Sequence, residues 1–93
     1  MKVWNILIVD GQGGKIGSQL ISMIKDRLSA YRFSVTAVGT NSIAAAAMLK
    51  AGADYAATGE NPVIVAARSA DVIIGPLGIV IADALIGEVT AEM

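Results

Sequence analysis

Glycines at positions 11, 13, 14 and 17 follow the apolar run Ile6 to Val9, and an amphipathic pattern begins at Lys15. The chemistry such spacing supports is recognition of a phosphate. Missing side chains let the backbone turn and approach the anion, and a helix that starts at once offers unpaired N–H groups and the positive end of its dipole. Asp10 and Lys15 flank the glycines with opposite charges. Two roles stand open for Asp10: an Asx-type bond to N–H groups of the loop, or contact with a metal or a ribose. Lys15 is either a solvated first-turn residue or a phosphate partner, since a cation at a helix N-terminus is disfavoured until an anion arrives. The chain has neither histidine nor cysteine, so the commonest general base, thiol nucleophiles and thiolate metal sites are all missing. The loop therefore marks a site without naming a reaction.

Positioning such a loop needs a strand before it and a helix after it. Ile6 to Val9 is continuously apolar, as in a strand covered on both faces. Ile16, Leu20, Ile24 and Leu28 recur every four residues with Met23 beside them, which predicts a first helix ending near Ser29. Phe33 to Val38 predicts a second strand, and Gly39-Thr40-Asn41-Ser42 a short polar loop with Ser42 capping an alanine-rich helix through Lys50. Asp54 to Ala57 reads as a short third strand, followed by a turn and a helix from about Pro62 to Arg68. Thr58, Glu60 and Asn61 lie in that turn, either as capping residues or as ligand contacts; Glu60 is its one acid. Asp71 to Ile74 predicts a fourth strand closed by Gly75-Pro76, and Leu77 to Leu85 an apolar helix ending near Gly87. Thr90 then reads as the cap of a further helix.

This alternation predicts a Rossmann-like α/β/α fold of three layers, with a parallel sheet of about four strands in the order 3-2-1-4. The ligand crevice of such a sheet lies at the carboxyl ends of strands 1 and 4, where the strand order reverses. Loops 10–17, 39–42 and 75–78 converge there. Cofactor-binding candidates are therefore Gly11, Gln12, Gly13, Gly14, Lys15, Ile16 and Gly17 in the first loop. Gly39, Thr40, Asn41 and Ser42 follow in the second, and Gly75 and Pro76 in the third. Dinucleotide sites for NAD commonly place an acid about 20 residues after the glycines to hold the ribose 2′-hydroxyl. Thr40, Asn41 and Ser42 stand there instead, and their neutral donors tilt the expected cofactor from NAD toward NADP.

The spacing Gly11-x-x-Gly14-x-x-Gly17 is a seven-residue variant of the dinucleotide fingerprint; the strict GxGxxG form needs glycine where Gln12 stands. Gly-Gln-Gly-Gly-Lys-Ile-Gly-Ser-Gln-Leu resembles the glycine loop of dihydrodipicolinate reductases. The resemblance covers about ten residues and implies a pyrophosphate held by the backbone of Gln12 to Ile16, with Lys15 near the adenosine phosphate. Those enzymes' substrate domain, bearing histidine and lysine, has no counterpart here. A Tyr-x-x-x-Lys pair is also missing, because Tyr31 precedes Val35 and Tyr55 precedes Gly59 at that spacing. GxxxxGK[ST] is not formed either: Gly11 to Lys15 is too short and Ile16 stands in the Ser/Thr position.

Nearly end to end, the chain resembles an uncharacterised family of short bacterial proteins opening on Ile-Asp-Gly-Gln-Gly-Gly-x-Ile-Gly. Val9 to Gly17 carries that opening, and Gly39 to Ala44, Met48 to Ala53, Ala57 to Asn61 and Ile73 to Pro76 continue the match. Relatives of this kind extend past the equivalent of Met93, so C-terminal truncation is expected. The resemblance implies no reaction.

The 93 residues fit a single domain, and apolar residues make up 55% against 16% charged, compared with roughly 45–50% and about 25% in ordinary domains. That excess predicts an apolar surface covered by a partner or by another segment, and a homo-oligomer is the expected partner. A net charge of −1 with scattered basic residues gives nucleic acid no electrostatic footing. No leader-like start and no apolar stretch of about 20 residues is present, so a cytoplasmic protein without membrane partners is expected. The expected function is nucleotide binding or sensing of the NAD(P) type. Alternatives are a small oxidoreductase completed by oligomerisation, and a structural or partner-binding domain whose glycine loop stays empty.

Overall fold

The computed structural model describes residues 3–75, 78–83 and 88–91. In chain order the elements are β1 (Trp4–Asp10), α1 (Lys15–Arg27), β2 (Phe33–Gly39), α2 (Ser42–Lys50), β3 (Tyr55–Thr58), α3 (Glu60–Ala67), β4 (Val72–Gly75), β5 (Gly78–Asp83) and β6 (Glu88–Ala91). They build one sheet in the order β3-β2-β1-β4-β5-β6. The first four strands are parallel, with β1 between β2 and β4. This is the Rossmann-like 3-2-1-4 arrangement that the alternating pattern implies, and its order reverses between β1 and β4.

Strand alternation assigns the two faces. Ile6 and Ile8 of β1 and Val35 and Ala37 of β2 join Ile21 of α1 and Ala44 and Met48 of α2 in the main core. Leu7 and Val38 are equally buried but point to the opposite face, where α3 meets β1 and β2. Burying each aliphatic chain of this size is worth about 1.5–3 kcal/mol. The seam of α1 is rotated from the expected Ile16-Leu20-Ile24-Leu28 stripe. Gly17 and Ile21 are its buried residues, Leu20 and Ile24 pack beside them, and Ile16 and Met23 are exposed. Gly17 faces inward here, its missing side chain making room for Met48 of α2 and the Asp10 carboxylate, and Ile16 beside it is turned outward.

Beyond β4 the pattern departs from expectation. Residues 78–83 form an antiparallel strand on β4 rather than part of a helix over Leu77 to Leu85, and Gly75 pairs directly with Gly78. Gly75 and Gly78 thus belong to two antiparallel strands rather than to a strand stop before a helix; Pro76 and Leu77 themselves lie outside the described residues. The β-branched run Ile79-Val80-Ile81 suits a pleated strand better than a helix. Thr90, expected to cap a helix, pairs with Ile81 inside β6. Ser42 is not the cap of α2 either: Asn41 is, its Oδ1 accepting the Ala44 N–H at 2.8 Å. Among the described residues, no helix is long and apolar enough to cross a membrane.

Two aspartates fix the strand starts in the same way. The Asp54 N–H donates to the Val35 carbonyl at 2.9 Å while Asp54 Oδ2 accepts the Val35 N–H at 2.8 Å. Asp71 repeats this on Asn5, with bonds of 2.7 and 2.8 Å. Each carboxylate stands one residue before its strand and continues the parallel ladder where the strand has not yet begun.

Candidate functional site

Asp10 ends β1 and is 7% exposed. Its Oδ1 accepts the Gln12 N–H at 2.7 Å, and its Oδ2 reaches the Gly17 N–H at 3.0 Å. The Asp10 carbonyl accepts the Thr40 N–H at 3.1 Å. One residue therefore ties together the end of β1, the glycine loop, the third residue of α1 and the start of the second loop. Burial pushes its carboxyl pKa up, but the N–H groups of Gln12, Gly17 and Gly14 outweigh that and hold it below the ordinary value. Both oxygens serve the loop, which is the Asx-type role extended to the helix end. Among the described residues, no group of three or more carboxylates gathers as a metal site would require.

The glycines divide by physical cause. Gly14 caps α1 with φ of +87° and no side-chain bond. A Cβ there would lie 2.8 Å from the Cα and carbonyl of Ala44, so backbone conformation and helix contact both demand glycine. At Gly17 a Cβ would lie 2.5 Å from Met48 Sδ and 3.1 Å from Asp10 Oδ2, and at Gly39 it would lie 2.7 Å from the Ala45 nitrogen. Those two are packing glycines. Gly11, Gly13 and Gly75 are different: their φ values are not positive and a Cβ at each meets nothing within 4 Å. Nothing in the fold forbids a side chain at these three positions, and all three line one cleft.

That cleft, about 390 Å³, opens at the carboxyl ends of β1 and β4. Gln12, Lys15, Ile16 and Gly17 also line it, with Ile8, Leu20 and Ile74 as its apolar wall. A second cleft of about 570 Å³ lies across the carboxyl ends of β1, β2 and β3, between Gly39 and Thr40 on one side and Glu60, Val63 and Ile64 of α3 on the other. Val9 borders both clefts. They therefore flank the point where β1 runs into the glycine loop.

Most of the candidate residues come together here, but not all in the same capacity. Gly11, Gln12, Gly13, Lys15, Ile16, Gly17 and Gly75 share the first cleft, and Gly39 and Thr40 the second. Gly14 is buried beneath the loop against α2. Asn41 is drawn into the fold, since its Oδ1 caps α2 and its Nδ2 donates to the Gln12 carbonyl at 2.9 Å. Ser42 is exposed at the first turn of α2 and lines neither cleft. Pro76 lies outside the described residues. Val63 and Ile64 escape a motif search because apolar residues on a short helix carry no spacing signal of a ligand; only the apposition of α3 to β2 reveals them.

Fold and site together define a Rossmann-like α/β protein with a glycine loop at its topological switch point. Residues 5–93 match the model of the family described as "Domain of unknown function (DUF3842)". The chain belongs to that family. Neither a curated protein nor a solved structure matches it.

Proposed function

We propose that this protein binds a nucleotide, a dinucleotide of the NAD(P) type being favoured, across the glycine loop, and that its role is binding or sensing. The observation that carries this is the set Gly11, Gly13 and Gly75: three glycines required by neither backbone conformation nor packing, all facing one cleft. Absent side chains at such positions leave room for a ligand to approach the backbone. The first two N–H groups of α1, on Lys15 and Ile16, border the same cleft without an acceptor among the described hydrogen bonds. Asp10 has already taken the deeper Gly17 N–H, so a phosphate sits at the outer lip, where the Lys15 ammonium offsets the carboxylate. Clefts on both sides of the loop suit a ligand with a base-bearing half on either side of its pyrophosphate.

Binding is favoured over catalysis by the side chains at hand. Histidine and cysteine are absent from the chain, and among the described residues the ionisable ones lining the two clefts are Asp10, Lys15 and Glu60. Of these, Asp10 is held by the loop. Isothermal titration of the folded protein with NADH, NADPH, ATP and S-adenosylmethionine tests the assignment. Saturable heat with a dinucleotide, lost when Gly13 is replaced by a bulkier residue, is expected; absence of heat with either dinucleotide overturns it.

A further inference from the structure

The cleft beside β2 and β3 carries a charge that bears on which dinucleotide is taken. Its walls are apolar, formed by Val9, Val38, Val63 and Ile64, and Ile64 is 54% exposed although it faces this space. Such walls suit the flat face of a purine. The rim is polar, with Thr40 at the end of β2 and Glu60 at the start of α3. Among the described lining residues there is no lysine or arginine.

By sequence alone, Thr40-Asn41-Ser42 offers neutral donors to a ribose 2′-phosphate. In the folded chain Asn41 is occupied at both ends of its amide, and Ser42 lies outside the cleft. What remains at the rim is one hydroxyl and one carboxylate. A 2′-phosphate brought here meets the Glu60 charge with no cation lining the cleft to offset it, whereas a ribose hydroxyl is a donor that a carboxylate accepts. We infer that Glu60 makes this cleft selective for an adenosine whose ribose 2′- and 3′-hydroxyls are both free, as in NAD, and against the 2′-phosphorylated form. The inference rests on the nucleotide-binding assignment above. It moves the discriminating acid from the end of β2 to the end of β3, across the same cleft.

The test uses ADP-ribose and 2′-phospho-ADP-ribose, with NAD and NADP as the complete ligands, titrated into the wild type, Glu60→Gln and Glu60→Lys. Circular dichroism checks that each variant is folded. Expected is a wild-type preference for the unphosphorylated ligand of about tenfold or more, mostly lost in Glu60→Gln and reversed in Glu60→Lys. The measured quantity is the ratio of affinities, which a merely helix-stabilising acid at the first turn of α3 would not move. A wild type that binds both forms equally, or a folded Glu60→Gln with an unchanged ratio, overturns the role of Glu60 while leaving the nucleotide site standing. Failure of the wild type to bind any of the four ligands removes the nucleotide site and this inference with it.

Discussion

Replacing Asp10 with alanine takes away the acceptor that joins β1 to α1, and the geometry sets the size of the loss. The side chain is 7% exposed and accepts the N–H groups of Gln12 at 2.7 Å and Gly17 at 3.0 Å. Hydrogen bonds to a charged partner contribute about 1.5–3 kcal/mol each, and a buried N–H left without an acceptor carries its full desolvation cost. Two such bonds place the destabilisation of Asp10→Ala at about 3–5 kcal/mol, a large part of the roughly 5–15 kcal/mol available to a domain. Asp10→Asn keeps one oxygen but turns an N–H toward another donor, and should lose about 2–3 kcal/mol. The pH dependence has a definite sign. Because the folded carboxyl is held below its ordinary value, its contribution is complete above the unfolded pKa of about 3.9 and disappears as pH falls through the lower folded value. Urea unfolding followed by far-UV circular dichroism, from about pH 7 down to about pH 3, measures both effects. The wild type should weaken more steeply than Asp10→Asn at the acid end. Asp10→Ala lying within about 0.5 kcal/mol of the wild type at neutral pH, or identical acid limbs for wild type and Asp10→Asn, would refute the account of Asp10.

The glycines should separate in a stability and binding comparison. Gly14→Ala must adopt a positive φ and meets Ala44, a cost of about 2–4 kcal/mol in thermal or urea unfolding, whereas Gly13→Ala should be neutral or stabilising by about 0.5 kcal/mol. In titration calorimetry Gly13→Ala should nevertheless weaken the dinucleotide about tenfold, and unchanged affinity would argue that the open space serves no ligand. Lys15→Ala should move the two quantities in opposite directions. Without ligand it gains up to about 0.5 kcal/mol by removing a cation from a helix N-terminus, and with ligand it binds more weakly and with less salt dependence. Asn41→Ala loses both the cap of α2 and the tether to Gln12, so chemical denaturation should show about 1–2 kcal/mol of destabilisation.

The path from Trp4 to Gly75 is legible in the sequence because glycines and polar loops punctuate it and each strand is a short apolar run. After Gly75 the chain becomes ambiguous for a physical reason. An apolar stretch without alternation fits a buried strand or a buried helix equally well by periodicity, and Gly-Pro-x-Gly serves a hairpin as readily as a helix start. Side-chain branching at Ile79, Val80 and Ile81 held the missing signal. At the site, the glycine spacing announces the loop, and Asp10 can be anticipated as an Asx-type residue. Its reach to Gly17 cannot, because that bond depends on the angle at which α1 leaves β1. Ser42, the residue the sequence points to as the cap, is displaced one position by Asn41, because the extended backbone of Asn41 aims its Oδ1 at the Ala44 N–H and its amide nitrogen at the Gln12 carbonyl. Glu60 gains interest only when α3 is laid against β2, a relation between residues some twenty positions apart that no local pattern encodes.

The paired aspartates 54 and 71 have a bearing on how freely this scaffold can change. Both grip the sheet at the amino ends of β3 and β4, while the clefts open at the opposite, carboxyl ends. Strand alignment is thus referenced to one end of the strands, and the clefts of the candidate site open at the other. Exchanging the loops that border the clefts need not disturb the pairing of β1 with β4 or of β2 with β3. A library that randomises positions 11–13, 40 and 60 while keeping both aspartates would vary the lining of the clefts on a sheet whose register is anchored elsewhere.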